Sequence, residues 1–206
     1  MYNRMISFTE KYSLLSNSQY GFKANRTTQD AVAALIEHIT RKFDDHCDEL
    51  QNTCDGIGTW FRRNRLAINV IKTKHMIFTL KCTVPPKIML DEHVVERVAS
   101  TKFLGCIIDE TLTWHDHIMS VCKKAAKGIE ILRSVYYYPM WVKKMIYFAY
   151  VHFHMSYCLS IWGNAANVHF NRILVSQKKA IRIVFGLPMY EHVQCYMKQH
   201  RMLLLP

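Results

Sequence analysis

The hydrophobic period of this 206-residue chain changes twice, and these changes limit the folds open to it. Apolar residues first recur at three- and four-residue steps, as in amphipathic helices. Two later segments, LAINVIKTKHMIFTL and KIMLDEHVVERV, show the alternation and the β-branched residues of strands, with DEH as a hairpin turn. Helical spacing then returns from Trp114 onward. Helices, a small β region and a helical bundle, in that order, predict an α+β fold.

Capping and breaking residues locate the elements of this pattern. Thr27 is a favourable N-cap, and Asp30 completes a capping box for a helix that runs to about Phe43. The segment TKFLGCIID reads as one short buried strand. Further helices are expected at about 45–63, from 114 to the break at Pro139, and at about 141–162, 168–185 and 190–203, with GLP as a break at 186–188.

The positive charge of the chain is concentrated in its C-terminal part. The formal net charge is +11, and residues 119–206 contain twelve basic side chains but only two acidic ones, Glu130 and Glu191. A basic surface of this kind suits a polyanion such as nucleic acid, and an acidic membrane surface would attract it too.

Cysteine spacing and hydropathy favour a cytoplasmic or nuclear protein. The seven cysteines include no C-x-x-C pair, which argues against a disulfide framework and a zinc site. The N-terminus lacks the uninterrupted apolar stretch of a signal peptide. Residues 145–162 contain no Asp, Glu, Lys or Arg, a length sufficient for a membrane span. However, the histidines, serines and tyrosines inside this segment favour a buried or amphipathic helix over a span.

Three stretches of the chain carry motifs of a known family: they are QYGFKANRTTQDAVAALI, TWFRRNRLAINVIKTKHMIF and STKFLGCIIDETLTWHDHI. In this order they resemble the reverse transcriptases of non-LTR (LINE-type) retrotransposons. In that family they correspond to the junction of fingers and palm, the late palm, and the primer-grip hairpin that leads into the thumb. The resemblance covers roughly residues 18–188, although Lys23 and Thr27 stand where Arg and Ser are usual. It implies an end-of-fingers and early palm segment at 1–46, a late palm and primer-grip-like β region with a small antiparallel sheet at 47–112, and an all-helical thumb-like region at 113–206.

The catalytic segments of that family are missing between the first and second stretches. In place of an aspartate-bearing strand, a G-x-P-Q-G-S loop and an F/Y-A-D-D hairpin, the chain passes from EHITRKFDDHC into DELQNTCDGIGTW. Those family carboxylates hold the two divalent ions, Mg²⁺ or Mn²⁺, that activate the primer hydroxyl. Asp44 and Asp45 end a predicted helix, and Asp109 is expected to cap the turn before Thr113 and Trp114. We therefore predict no catalytic residue, no metal ligand and no cofactor for this chain.

The candidate site residues fall into four groups. Lys72 matches a family position near the incoming triphosphate, although a solvated lysine at a strand edge is the favoured interpretation. His115 and His117, two residues apart, diverge on a helix, so capping and packing are expected rather than metal binding. The primer-grip-like residues are Phe103, Leu104 and Gly105, and the candidates for nucleic-acid binding are Lys123, Lys124, Lys127, Lys178, Lys179 and Arg182.

These observations predict a fragment of a retrotransposon reverse transcriptase that is inactive as a polymerase. Residual binding to RNA or RNA–DNA hybrid is expected to be weak and independent of sequence, and no small-molecule substrate is expected. The missing palm strands also predict exposed strand edges and self-association. The alternatives are a non-catalytic nucleic-acid-binding or interaction module, and a membrane-associated helical protein.

Overall fold

The computed structural model describes residues 2–12, 16, 19–21, 23, 25–41, 48–78, 87–90, 93–200 and 202. Over this part, the chain combines helices with three pairs of short strands, in agreement with the α+β prediction. The helices are α1 (Tyr2–Lys11), α2 (Thr28–Arg41), α3 (Asp48–Arg63), α4 (His115–Ser134), α5 (Met140–Ile146), α6 (Phe153–Ser156), α7 (Leu159–Trp162), α8 (Asn167–Phe185) and α9 (Gln194–Gln199). A π-helical segment, Tyr147–His152, joins α5 to α6.

The predicted capping box opens α2. The Thr27 amide donates to the Asp30 Oδ2 atom at 2.7 Å, and the Asp30 amide donates to the Thr27 Oγ1 atom at 3.2 Å. Each side chain satisfies a backbone donor that the first helical turn leaves free. The structure describes α2 as far as Arg41, and the predicted end at Phe43 lies outside the described residues.

The strands are shorter than the sequence pattern suggests. They are β1 (Lys74–His75), β2 (Met89–Leu90), β3 (His93–Val94), β4 (Glu96–Arg97), β5 (Ser100–Phe103) and β6 (Cys106–Asp109). β1 pairs with β4 in parallel, whereas β2 with β3 and β5 with β6 form antiparallel pairs. The β2–β3 pair confirms the hairpin predicted in KIMLDEHVVERV, but His93, expected in the turn, lies in β3 opposite Leu90. The other two residues of the predicted turn, 91 and 92, lie outside the described part.

Two strand predictions were wrong. Among the described residues of LAINVIKTKHMIFTL, 66–78, only β1 is a strand, because the Asn69 side chain accepts a hydrogen bond from the Lys72 amide and closes a 3₁₀ turn at Val70–Lys72. The segment TKFLGCIID is two strands of one hairpin and not a single strand, because the backbone reverses at Leu104 and Gly105.

A side chain covers the outer edge of β2 in place of a neighbouring strand. The Met89 amide donates to the Gln51 Oε1 atom at 3.0 Å, and the Gln51 Nε2 atom donates to the Met89 carbonyl at 3.1 Å. Gln51 lies on α3, so this pair of bonds also fixes the β2–β3 hairpin on that helix. The buried side chains of Ile88, Leu90 and Val95 form the apolar side of the hairpin.

The main core lies between α4, α8 and the π-helical segment. α4 contributes a stripe at Ile118, Val121, Ala125, Ile129 and Leu132, as the helical spacing predicted. Facing it are Ile173, Ala180, Ile181 and Val184 of α8, and Tyr147, Val151 and Met155. Val32 of α2 and Cys106 and Ile108 of β6 are buried in the same core, so both the early helix and the hairpin are docked on the bundle.

The single helix predicted at 141–162 is interrupted twice. Its middle is the π-helical segment, which packs against Gly128 of α4: a Cβ atom there would approach the Tyr150 carbonyl oxygen to 2.7 Å. The helix then stops after Ser156, because Tyr157 is extended, with ψ 123°, and Cys158 has a left-handed φ of 54°. No helix in the described ranges is both long and apolar enough to cross a membrane.

Candidate nucleic-acid interface

The tip of the β5–β6 hairpin is a tight two-residue turn. Phe103 pairs with Cys106, and between them Leu104 and Gly105 have φ angles of 45° and 92°. Positive φ at both central residues is the signature of a type I′ turn, which matches the twist of a two-stranded hairpin. Phe103 and Leu104 therefore lie exposed at the tip. These are the residues for which the resemblance implies a primer-grip role.

Tyr157 anchors this tip to the helical bundle. Its hydroxyl donates to the Leu104 carbonyl oxygen at 2.6 Å. Its ring lies so close to Gly105 that a Cβ atom at that position would be 3.2 Å from the Tyr157 Cε1 atom. The interruption between α6 and α7 places Tyr157 here, and the sequence spacing carries no signal for this contact.

A buried histidine fixes the middle of the hairpin to α4. The Ile107 amide donates to the His117 Nδ1 atom at 3.2 Å, so the ring is neutral and carries its proton on Nε2. Burial, assisted by the charge of Lys124, lowers the pKa of His117 to about 4. The ring also packs edge-on against Trp162. The packing role predicted for His117 is thereby confirmed, and His115 is exposed beside Asp116.

Asp109 caps the turn that leads from the hairpin into α4, as predicted. Its carboxylate accepts hydrogen bonds from the amides of Thr113 at 2.8 Å and Trp114 at 2.9 Å, and from the hydroxyls of Thr111 and Thr113. Partial burial raises the pKa of Asp109, but these hydrogen bonds outweigh it and hold the pKa below its usual value. The carboxylate thus accepts its hydrogen bonds from the amides and hydroxyls of its own turn.

The three lysines of α4 lie on its exposed side, opposite the buried stripe. The positive charge of Lys124 acts to lower the pKa values of Cys106, His117 and His154. The Lys124 side chain therefore lies toward the hairpin and α6. Lys123 and Lys127 are one helical turn apart and fully on the outer face.

The basic side chains of α8 differ in their exposure and in their hydrogen bonds. Lys179 is exposed, and Lys178 and Arg182 are half-buried. The Arg182 Nε atom donates to the Glu191 carbonyl oxygen at 3.2 Å, which ties the loop after α8 to that helix. α8 packs directly on α4, with the Arg172 Nη1 atom 3.1 Å from the Met119 Sδ atom, so both basic groups belong to one bundle.

The charge of these lysines is not neutralised within the described part of the chain. Lys123, Lys124, Lys127, Lys178 and Lys179 form no ion pair there. The nearest acidic residue along α4, Glu130, pairs with Arg133 at 2.6 Å. A run of unpaired cations on adjacent helices produces a positive potential that attracts polyanions.

Lys72 lies in the 3₁₀ turn before β1, so the expectation of a strand-edge lysine was wrong. Its side chain is exposed. Asp44 and Asp45 lie outside the described residues. Within the described ranges, no group of three or more His, Cys, Asp or Glu side chains is placed to hold a metal ion.

Comparison with curated proteins finds relatives among transposon proteins. The chain is 30% identical over 173 residues to the probable RNA-directed DNA polymerase from transposon X-element of Drosophila melanogaster. This alignment covers 82% of the chain and 19% of the relative. The chain is 29% identical over 147 residues to the probable RNA-directed DNA polymerase from transposon BS of the same species, covering 68% and 16% of the two chains. It is 27% identical over 209 residues to the RNA-directed DNA polymerase from mobile element jockey of Drosophila funebris, covering 90% and 23%.

The chain spans about a fifth of the length of these curated relatives. No protein-family model matches it, and no solved structure does.

Proposed function

Because this chain is a relative of the RNA-directed DNA polymerases of non-LTR retrotransposons, we propose that it is a fragment of such an enzyme that binds RNA or RNA–DNA hybrid without polymerising DNA. The observation that carries the proposal is the set of lysines on α4 and α8 that form no ion pair with any residue the structure describes. All of these lysines lie in residues 119–206, where Glu130 and Glu191 are the only acidic side chains.

The parts of the fragment have distinct roles in this proposal. Residues 1–46 are the end of the fingers and the early palm, residues 47–112 are the late palm with a primer-grip-like hairpin, and residues 113–206 are the thumb. The lysines of the thumb contact phosphates, which gives affinity without sequence preference. The hairpin tip at Phe103 and Leu104, held by Tyr157, lies against the backbone of the bound strand.

The proposed lack of polymerase activity rests on the segments that the sequence omits. Nucleotidyl transfer needs carboxylates on separate strands to hold two divalent ions, and the family segments that carry these carboxylates are missing from the sequence. The carboxylate of Asp109, the last residue of β6, accepts four hydrogen bonds from its own turn.

A salt titration of binding tests this function. The purified chain is titrated with two RNA–DNA hybrids of unrelated sequence at several salt concentrations. We expect equal affinities for both hybrids, and a logarithm of the binding constant that falls linearly with the logarithm of the salt concentration. Affinity that is independent of salt, or an absence of binding at low salt, would contradict the proposal.

A further inference from the structure

A second surface of the thumb-like bundle is aromatic rather than basic. It consists of Tyr137, Trp141, Met145 and Phe148, whose side chains are 95%, 65%, 58% and 44% exposed, and we refer to it as the aromatic face. Full burial of side chains of this size contributes roughly 1.5–3 kcal/mol each, so their exposure sacrifices stability. Trp141, Met145 and Phe148 recur at three- and four-residue steps along α5 and the π-helical segment, which sets them on one side, and Tyr137 precedes α5. Clustered exposed apolar residues of this kind mark interaction sites.

The packing of α5 and the π-helical segment fixes the direction of the aromatic face. Tyr147 and Val151 on the opposite side are fully buried, and the Gln177 Nε2 atom of α8 donates to the Tyr147 hydroxyl at 3.1 Å. Rotation of the segment to bury Trp141 would expose Tyr147 and break this buried hydrogen bond. The outward position of Trp141 and Phe148 is therefore a consequence of the core.

Two cations, Lys143 and Lys144, lie on the same helix as Trp141, and acids are absent from this part of the sequence. The Lys143 Nζ atom lies 5.3 Å from the ring centroid of Tyr136, whose ring is 5.5 Å from that of Tyr137. The Lys144 Nζ atom is 3.3 Å from the His200 Nδ1 atom. No Asp or Glu occurs between residues 131 and 190. A second copy of this chain would bring the same positive charge, whereas an anion with flat apolar rings complements both features.

We propose that the aromatic face binds single-stranded nucleic acid, with unpaired bases stacked on Tyr137, Trp141 and Phe148 and with phosphates near Lys143 and Lys144. Flat rings exposed beside cations are the combination that such strands require. A duplex cannot use the aromatic face in this way, because its bases already stack on one another. The inference rests on the RNA binding of the proposed function and deepens it by assigning unpaired strands to a surface of their own, but it does not require that the lysines of α4 and α8 bind a hybrid.

The test compares two ligands on the full chain, a single-stranded oligouridylate of about 12 nucleotides and a hybrid of the same length. We expect Trp141→Ala to weaken binding of the single strand by about 5- to 150-fold and to leave binding of the hybrid unchanged. Trp141→Phe should retain most of the affinity, because a stacking ring remains. Trp60→Ala is the matched control: Trp60 is 56% exposed on α3, away from the aromatic face, and its loss should change neither affinity.

Four results would overturn the inference. An equal loss of affinity for both ligands would indicate general damage, and an unchanged affinity for the single strand would remove the aromatic face from its site. Loss of binding to vesicles of anionic phospholipid, with single-strand binding intact, would identify a membrane surface. Loss of a dimer in sedimentation, with single-strand binding intact, would identify a second copy as the occupant. Tyr137→Ala repeats the test outside any helix, and circular dichroism establishes that each variant is folded.

Discussion

The Tyr157 hydroxyl donates a 2.6 Å hydrogen bond to the carbonyl oxygen of Leu104, 53 residues earlier in the chain. The bond joins the interruption between α6 and α7 to the tip of the β5–β6 hairpin, where Leu104 has a positive φ. Together with the Ile107–His117 bond, it fixes the exposed hairpin tip to the same bundle that carries the lysines.

We expect Tyr157→Phe to lower the free energy of unfolding by about 0.5–1.5 kcal/mol, because it removes one hydrogen bond and keeps the ring. The midpoint of a urea titration measures the change. Tyr190→Phe is the control, since the side chain of Tyr190 is almost fully exposed, and it should leave the midpoint unchanged. Equal midpoints for Tyr157→Phe and the wild type would mean that the bond does not hold the tip in solution.

Gly105→Ala should destabilise the chain by roughly 1–2 kcal/mol, because an L-residue at a φ of 92° is strained and its Cβ atom would crowd the Tyr157 ring. Gly56→Ala should have the opposite sign. Gly56 lies inside α3 with no atom within 4 Å of an added Cβ, so alanine there should stabilise by about 0.5–1 kcal/mol. Thermal unfolding of the two variants compares them directly, and the same sign for both would contradict the turn geometry.

Stability should fall as the pH is lowered from 6.5 toward 4, partly through His117. The folded state keeps this ring neutral down to about pH 4, whereas the unfolded chain binds a proton from about pH 6.5. The contribution of His117 to the free energy of unfolding is therefore complete above pH 6.5. Below pH 6.5 it is lost at up to about 1.4 kcal/mol per pH unit. His117→Gln should flatten the dependence by this amount. The remaining slope belongs to groups such as His75, His152 and His154, whose pKa values burial also lowers. An unchanged slope would exclude a buried neutral His117.

Lys123→Ala/Lys127→Ala should reduce the slope of log affinity for hybrid against log salt by up to about 1.8, since each phosphate contact contributes about 0.9. Lys178→Ala/Lys179→Ala should do the same on α8. Arg182 is left in place, because its substitution would also release the loop that it ties through Glu191. The double variant Lys11→Ala/Lys87→Ala removes equal charge from exposed positions outside the bundle and should keep the wild-type slope. If all three variants gave the same slope, neither lysine group would contact phosphates.

The predictions from sequence succeeded where the interacting groups are neighbours in the chain. The Thr27–Asp30 cap and the Asp109 cap of Thr113 each close within five residues, and the stripe on α4 follows directly from helical spacing. They failed where a distant group decides the local structure. The Tyr157 hydroxyl donates to the Leu104 carbonyl oxygen and holds the turn there, and the middle of the helix predicted at 141–162 is a π-helical segment against Gly128. The binding roles of the lysines and of the hairpin tip remain predictions.

Primer extension on an RNA template tests the central claim most directly, at a protein concentration that saturates the primer–template and with Mg²⁺ or Mn²⁺ supplied. The account predicts that the chain binds the primer–template and adds no nucleotide, because strand-borne aspartates that would hold the two ions are missing. Extension by the wild-type chain that disappears in Asp44→Ala/Asp45→Ala would contradict the account, and would show that these two aspartates form a working metal site.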